Sequence, residues 1–249
     1  MKRRNLLPSA LMLLFSAVAI FTFHIATERL EKRDTPDWKE VPVYTYISPN
    51  VSLSSYDRHF REAADSIGYD WTLLAAIAFT ESRFDSTVVS AAGAKGVMQV
   101  MPGTLRGLGI PDSLHADNRT NIMAAAGVLK ILERYFRQVE DPAERIKFVL
   151  AAYNAGYGYI YDAMRLADKY GHNRHKWDAS VDSFLIHMSH PKYYTDTLCR
   201  NGEFNGWRET LSFVKKVHRY WEKFSKIQQN YSDSIKEVIL TDNTIRIMQ

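Results

Sequence analysis

The regular succession of helical segments constrains the fold of this chain more than any other feature. From Leu53 to about Phe224, apolar residues recur every three to four positions between breaks marked by Gly or Pro, and no segment alternates convincingly as a half-buried strand does. Asp70 and Asp141-Pro142 are typical helix starts, because a capping carboxylate and a proline in the first turn favour initiation. The pattern predicts an all-α fold with helices over 56–67, 71–84, 121–136, 142–155, 159–170, 179–188 and 208–224.

The N-terminus has the pattern of an export signal. Lys2-Arg3-Arg4 precede an apolar run from about Leu6 to Ile25, and a basic segment followed by an apolar one is typical of secretory signals. The run is also long enough to span a bilayer. We therefore predict a signal peptide or membrane anchor over 1–27, with both alternatives open. A polar linker over 28–52, one domain over 53–224 and a C-terminal tail over 225–249 follow.

Charge and cysteine content exclude some classes of function. The formal net charge is +4, but Lys2, Arg3 and Arg4 supply most of it, so the remainder is close to neutral. The charge balance therefore gives no reason to expect a nucleic-acid partner. Cys199 is the only cysteine, which rules out an intramolecular disulfide, and we expect it to be a small packed residue without a catalytic role.

Glu81 is the residue that a purely structural interpretation explains least well. On a helix over 71–84 it would share one face with apolar side chains, namely Leu74, Ile77, Ala78 and Phe84. A glutamate at such a position is more often solvated or paired with an arginine, and periodicity alone favours that interpretation. A partly desolvated carboxyl would instead have a raised pKa, which suits a general acid working near neutral pH.

Two segments that follow Glu81 favour a functional interpretation of this residue. Residues 90–104 form a loop with spaced glycines, Gly93 and Gly96, which would let the backbone turn tightly beside a ligand. The loop lacks the Lys-Ser/Thr of a phosphate-binding loop, so a nucleotide is not expected. Further on, residues 151–156 place Tyr153 and Asn154 at a helix C-terminus, where side chains can project into a cleft.

Together and in this order, the segments resemble the lytic transglycosylases of the soluble, Slt-type family. The matching pieces are Glu81-Ser82, Gly-x-x-Gly-Val-Met-Gln-x-Met-Pro at 93–102, Ala-Tyr-Asn-Ala-Gly at 152–156, and Glu209-Thr210-x-x-Phe213-Val214. The similarity covers residues from about 56 to 222. The chain departs from the family pattern at three places, with Val97 for the usual Leu, Phe213 for the usual Tyr, and Asp85-Ser86 for Asn-Pro.

The resemblance implies a lysozyme-like (goose-type/Slt) helical domain with a binding cleft. It implies cleavage of the MurNAc-β-1,4-GlcNAc bond of peptidoglycan without water, giving 1,6-anhydroMurNAc ends, with Glu81 as the catalytic acid/base. Six positions match substrate-binding residues: Ser90, Gln99, Met101, Tyr153, Asn154 and Glu209. No cofactor and no metal are expected. Peptidoglycan strands are the expected partner, the expected location is periplasmic, and membrane contact is expected only through the N-terminal segment.

Two other functions stay open. A muramidase-type hydrolase on the same fold would need a second carboxylate roughly 5–9.5 Å from Glu81, and the motifs offer none; Asp85 matches no catalytic group and Asp117 fits a helix cap better. A non-catalytic wall-binding module would have Glu81 missing, or buried and paired. The pairs His172-x-x-His175 and His187-x-x-His190 lack the acid that a metal signature requires, so no metal site is predicted.

Overall fold

The computed structural model describes the backbone of residues 52–247 and the side chains as far as Asp233. The predicted signal or anchor over 1–27, and the linker up to residue 51, lie outside the described residues. Within the described region the only strand-like pairings are two isolated bridges, Val89 with Lys95 and Lys95 with Val100, so the all-α prediction is confirmed. None of the helices found there combines the length and hydrophobicity of a membrane span.

The α-helices of this region, in chain order, are α1 (Asp57–Ile67), α2 (Trp71–Ser82), α3 (Pro102–Gly107), α4 (Asn118–Tyr135), α5 (Pro142–Ala155), α6 (Tyr157–Lys169), α7 (Asp182–His187), α8 (Pro191–Tyr194) and α9 (Trp207–Ile247). Carboxylates cap three of them by accepting a backbone N–H bond at 2.7–2.9 Å: Asp70 from Thr72, Asp117 from Thr120 and Asp141 from Ala143. These caps explain why α2, α4 and α5 begin where they do.

Helix α2 lies at the centre of the fold, packed against α1 and along α9. All residues from Trp71 to Ala78 are buried, so the helix is covered on every side and not only on the face that Glu81 shares with Leu74, Ile77 and Ala78. Its capping residue also fixes α9, because a carboxylate oxygen of Asp70 accepts from Trp221 Nε1 at 3.0 Å and from Ser225 Oγ at 3.3 Å.

Helix α2 ends at Ser82, two residues earlier than predicted. Arg83 and Phe84 both have positive φ, +58° and +67°, a conformation that costs non-glycine residues free energy and stops the helix. The ring of Phe84 packs against Phe60 at 6.0 Å and Phe224 at 6.4 Å between centroids. Aromatic packing from α1 and α9 therefore holds the turn that follows Glu81 in place.

Two other predicted boundaries are wrong. The helix predicted over 179–188 is interrupted, since Ala179 has φ +56° and α7 starts only at Asp182, whose carboxylate accepts from Ser180 N at 3.1 Å. The last helix does not stop at Phe224 but continues to Ile247, because no Gly or Pro interrupts that stretch. The segment predicted as a tail over 225–249 is thus helical for most of its length.

Candidate active site

Glu81 lies in the last turn of α2, where the central helix emerges from the core. Its side chain is only partly covered, whereas the residues two turns before it are fully buried. Among the described residues it has no hydrogen-bond or ion-pair partner, and burial alone raises the pKa of its carboxyl from 4.5 to about 7. A carboxyl of this kind is half protonated near neutral pH and can both give and take a proton.

The residue after Glu81 joins the end of the helix to the glycine-rich loop. Ser82 is buried, and its hydroxyl donates to the carbonyl of Val97 at 2.9 Å. Val97 and Met98 are themselves fully buried, so the loop is fixed to the core at the same point. The Glu-Ser pair of the sequence motif therefore combines a free carboxyl with a structural hydroxyl.

The glycine-rich loop is held by its own hydrogen bonds. Ser90 Oγ accepts from the N–H of Ala94 at 2.9 Å, which leaves its hydroxyl proton for another acceptor. Gln99 has φ +49°, and its Nε2 donates to the carbonyls of Val88 at 3.0 Å and Gly96 at 2.9 Å. Both donor hydrogens of Gln99 are thus used within the loop, and only its amide oxygen remains to face a ligand.

Asn121, in the first turn of α4, supports this loop and was missed by the sequence analysis. Its side chain is 1% exposed. Its Oδ1 accepts from Met98 N at 2.9 Å, and its Nδ2 donates to Lys95 O at 3.0 Å. Because the partners lie more than twenty residues away, no local pattern identifies them; the only hint was a polar residue at the start of an apolar helix face.

Gly96 lies directly against Asn121, and this predicts a large cost for a side chain at that position. A Cβ there would come within 2.7 Å of the Asn121 side chain, on a backbone with φ +76°. We expect Gly96→Ala to destabilise the protein by about 3 kcal/mol, from backbone strain together with the displaced amide. Thermal unfolding measures the effect.

Gly93 supplies the matched control. It has φ +88°, but a Cβ added there would meet nothing within 4 Å, so Gly93→Ala should cost only the strain of about 1–2 kcal/mol. Equal losses of stability in Gly93→Ala and Gly96→Ala would show that the contact with Asn121 does not matter.

Tyr153, in the last turn of α5, connects the loop, Glu81 and α9. Its hydroxyl donates to the carbonyl of Met98 at 2.8 Å, and its ring is parallel to that of Phe213 with the centroids 6.3 Å apart. Burial, and then the negative charge of Glu81, raise the pKa of Tyr153 well above its ordinary value. The phenol therefore stays protonated beside the carboxyl.

The remaining candidate residues occupy more open positions. Asn154 is exposed, and its Oδ1 accepts from the buried hydroxyl of Thr210 at 2.9 Å, so it connects α5 to the first turn of α9. Glu209 lies next to Thr210 and is exposed, and Met101 is 41% exposed just before α3. Contacts of the described residues thus join Ser82 beside Glu81, the loop, Tyr153 and Asn154 into one region. Met101 lies at the end of that loop, and Glu209 lies next to Thr210.

Comparison with known proteins agrees with this arrangement. The family model of the transglycosylase SLT domain matches residues 58–176, which include Glu81, the loop and Tyr153. Membrane-bound lytic murein transglycosylase F 1 of Alkalilimnicola ehrlichii is 35% identical over 178 residues, covering 71% of this chain and 35% of that protein. Membrane-bound lytic murein transglycosylase F of Maricaulis maris is 39% identical over 169 residues, covering 68% of this chain and 36% of that protein.

Among solved structures, a lytic transglycosylase Slt from Pseudomonas aeruginosa aligns with a TM-score of 0.47 at 22% identity, over 69% of this chain and 24% of that one. The chain spans 34–38% of the length of the first four of these curated transglycosylases. Residues 58–176, which contain three of the ordered motifs, are therefore a transglycosylase SLT domain of the kind found in Slt-type lytic transglycosylases.

Proposed function

We propose that the chain is a peptidoglycan lytic transglycosylase that cleaves the MurNAc-β-1,4-GlcNAc bond and leaves a 1,6-anhydroMurNAc end. The observation that carries the proposal is the state of Glu81: a half-buried carboxyl without a partner among the described residues, with a pKa raised to about 7. The names of the murein transglycosylase relatives support the substrate class.

Glu81 would act twice in this reaction. As the neutral acid it donates its proton to the oxygen that bridges MurNAc and GlcNAc, and the bond from that oxygen to the MurNAc anomeric carbon breaks. The N-acetyl group of MurNAc stabilises the cation that develops. Glu81, now a carboxylate, then takes the proton of the MurNAc 6-hydroxyl as its oxygen bonds to the anomeric carbon, which restores the acid without consuming water.

The residues around Glu81 would position the sugar. The protonated phenol of Tyr153 is fixed by Met98 and Phe213, and Ser90 and Gln99 each keep one polar function free of the loop. Met101, Asn154 and Glu209 are assigned to the binding surface by the family motifs. Holding the 6-hydroxyl close to the anomeric carbon in this way contributes a large share of such a rate acceleration.

A hydrolase on the same fold is the second candidate, and the surroundings of Glu81 favour it less. A second carboxylate close to Glu81 would raise its pKa further by charge repulsion. Burial is the one cause of the raised pKa, and no carboxylate of the described residues contributes to it.

Product analysis tests the proposal. After digestion of purified sacculi, mass spectrometry of the released muropeptides should find anhydro ends, each lighter by one water than a reducing end. Reducing ends alone would assign the chain to the hydrolases, and intact sacculi would contradict both enzymatic functions.

The pKa of Glu81 predicts how activity depends on pH. Since the reaction starts from the protonated carboxyl, kcat/KM should be constant below about pH 6 and fall about tenfold per pH unit above about pH 7. Turnover of a soluble glycan strand between pH 5 and 9 measures this, with circular dichroism as a check that the fold persists. A rate that does not change up to pH 9 would rule out Glu81 as the acid.

The proposal includes the location of the protein in the cell. The relatives are named as membrane-bound transglycosylases of murein, and we place this domain in the cell envelope, exported by the segment over 1–27 and facing the periplasm. Whether that segment is cleaved is decided by the mass of the mature protein compared with the full 28.7 kDa.

A further inference from the structure

One peptide unit of the glycine-rich loop, the unit between Val97 and Met98, is held from both sides by side chains. Its carbonyl accepts from the hydroxyl of Ser82 at 2.9 Å, and its N–H donates to Oδ1 of Asn121 at 2.9 Å. Both side chains are buried, so water does not compete for either bond. Because a peptide unit is planar and rigid, two bonds on opposite sides fix both its position and its orientation.

The carbonyl of Met98, which follows this unit, connects it to the candidate site. It accepts from the hydroxyl of Tyr153 at 2.8 Å, and Glu81 lies one residue before Ser82 in the last turn of α2. The phenol is close enough to the carboxylate for the negative charge of Glu81 to raise the pKa of Tyr153. The peptide unit therefore lies between the ends of α2 and α5, and its position determines where the phenol is held relative to the carboxyl.

Both hydrogen bonds that the Asn121 side chain forms among the described residues run to the loop and not to its own helix. The second bond, from Nδ2 to the carbonyl of Lys95, measures 3.0 Å. The start of α4 has a separate cap, because Asp117 accepts from the N–H of Thr120 at 2.7 Å. A buried amide costs free energy unless its polar groups are bonded, and an apolar residue would serve the helix equally well. The presence of an amide at this position is therefore explained by the loop.

We propose that Asn121 is a positioning residue of the active site, which acts on the reaction through the Val97–Met98 peptide unit and Tyr153. The inference rests on the proposed function, since it concerns how the groups around Glu81 are held during that reaction. Without the amide of Asn121, the peptide unit keeps only its bond to Ser82 and can rotate about it. The carbonyl that holds the phenol then shifts, and the phenol loses its fixed place beside the carboxyl.

A double-mutant cycle in the full-length protein tests this connection. Asn121→Leu gives a side chain of similar shape that cannot bond to the loop, and Tyr153→Phe removes only the hydroxyl. We expect each single variant to lower kcat on a soluble glycan strand about tenfold, and Asn121→Leu to leave KM nearly unchanged. The double variant should also lose about tenfold, because both changes break the same connection. A loss of about a hundredfold, the product of independent effects, would overturn the inference.

Ser180→Ala is the matched control for the loss of a buried hydrogen bond. The hydroxyl of Ser180, which is buried between α6 and α7 and outside the candidate site, donates to the carbonyl of Asn173 at 2.7 Å. At a temperature where all variants are folded, Ser180→Ala should keep the wild-type kcat. A loss of kcat as large as that of Asn121→Leu would mean that any weakening of the fold has this effect, and would overturn the inference.

Asn121→Asp provides a second variant in case Asn121→Leu does not fold. One carboxyl oxygen still accepts from the N–H of Met98, but the other donates to the carbonyl of Lys95 only while it carries a proton. Burial raises the pKa of such a carboxyl, so its kcat relative to wild type should be close to one at about pH 5 and about tenfold lower at about pH 8. A ratio that stays constant over this range would contradict the inference.

Hydrogen exchange of the Met98 amide, followed by NMR, separates this inference from the proposed function, because it needs no catalytic activity. The amide should exchange at least about tenfold faster in Asn121→Leu than in wild type, and at the wild-type rate in Ser180→Ala. Unchanged exchange in Asn121→Leu would overturn the inference whatever the protein does to glycans. Wild-type protein that leaves sacculi intact would instead contradict the proposed function, with the exchange result unaffected.

Discussion

Replacing Glu81 by glutamine is expected to lower kcat on peptidoglycan by a factor of about 10²–10⁴ and to leave KM nearly unchanged. The amide has the size of the carboxyl but can neither protonate the bridging oxygen nor accept the proton of the 6-hydroxyl. Release of soluble muropeptides from sacculi measures the loss. Glu140→Gln, at an exposed glutamate between α4 and α5, is the control and should keep full activity.

The unfolding free energy of Glu81→Gln distinguishes a loss of catalysis from a loss of structure. Burial raises the pKa of Glu81 from 4.5 to about 7, so the folded state binds this proton more tightly than the unfolded state does. Stability from this group is present below pH 4.5 and is lost as pH rises through 7. Glutamine carries no such charge, so Glu81→Gln should be more stable than wild type at pH 8, by about 2–3 kcal/mol, and equal to it at pH 4. An inactive variant that is also less stable at pH 8 would make the loss structural.

Asp162→Ala is expected to cause the largest loss of stability, about 3–5 kcal/mol. Asp162, on α6, is fully buried and pairs with Arg165. Its carboxylate accepts from the N–H groups of Arg200 at 3.0 Å and Asn201 at 2.7 Å. Removal leaves a cation without its partner and releases the loop that leads into α9.

Asp168, on the same helix but exposed, provides the comparison, because Asp168→Ala should cost less than about 0.5 kcal/mol. Thermal unfolding of the two variants measures the difference, which we expect to be about 10 °C in Tm. Activity of Asp162→Ala at a temperature where it is still folded adds a second readout. An Asp162→Ala protein as stable as Asp168→Ala would mean that the buried carboxylate is not what holds the loop.

Local signals in the sequence predicted most of the fold. The caps Asp70, Asp117 and Asp141 act within three residues, so their helices were predicted to within a few residues of the observed starts. Gly68, directly after the helix predicted over 56–67, ends α1 in the left-handed conformation. The Slt-type assignment, which depended on ordered motifs, is confirmed by the domain match.

Features that depend on distant partners were not predictable in this way. The role of Asn121 depends on residues 95–98, and that of Asp162 on residues 199–201. Near the break at Ala179, the backbone N–H of Trp177 donates to the carboxylate of Glu144 at 2.6 Å, a partner 33 residues away that no local pattern identifies. Only packing of the complete fold places these groups together.

The same distinction between local signals and distant partners applies to the candidate site. The sequence predicted roles for Glu81 and Tyr153, which stay predictions, and the fold places the phenol of Tyr153 where the negative charge of Glu81 raises its pKa. It assigned Gln99 and Asn154 to substrate, whereas both have hydrogen bonds within the protein, to the loop and to Thr210. Their roles in binding stay predictions. Gln99 keeps its amide oxygen, and Asn154 its exposed side chain, for contact with a sugar.

The most direct test of the proposed reaction is to identify which oxygen bonds to the MurNAc anomeric carbon in the product. If Glu81 drives intramolecular closure, the 6-hydroxyl of MurNAc is the nucleophile and water takes no part in forming the product. Digestion of sacculi in water labelled with heavy oxygen, followed by mass spectrometry, should give anhydro ends without the label. Labelled oxygen at the anomeric carbon of the primary product would show that water attacks, and would contradict the proposed reaction.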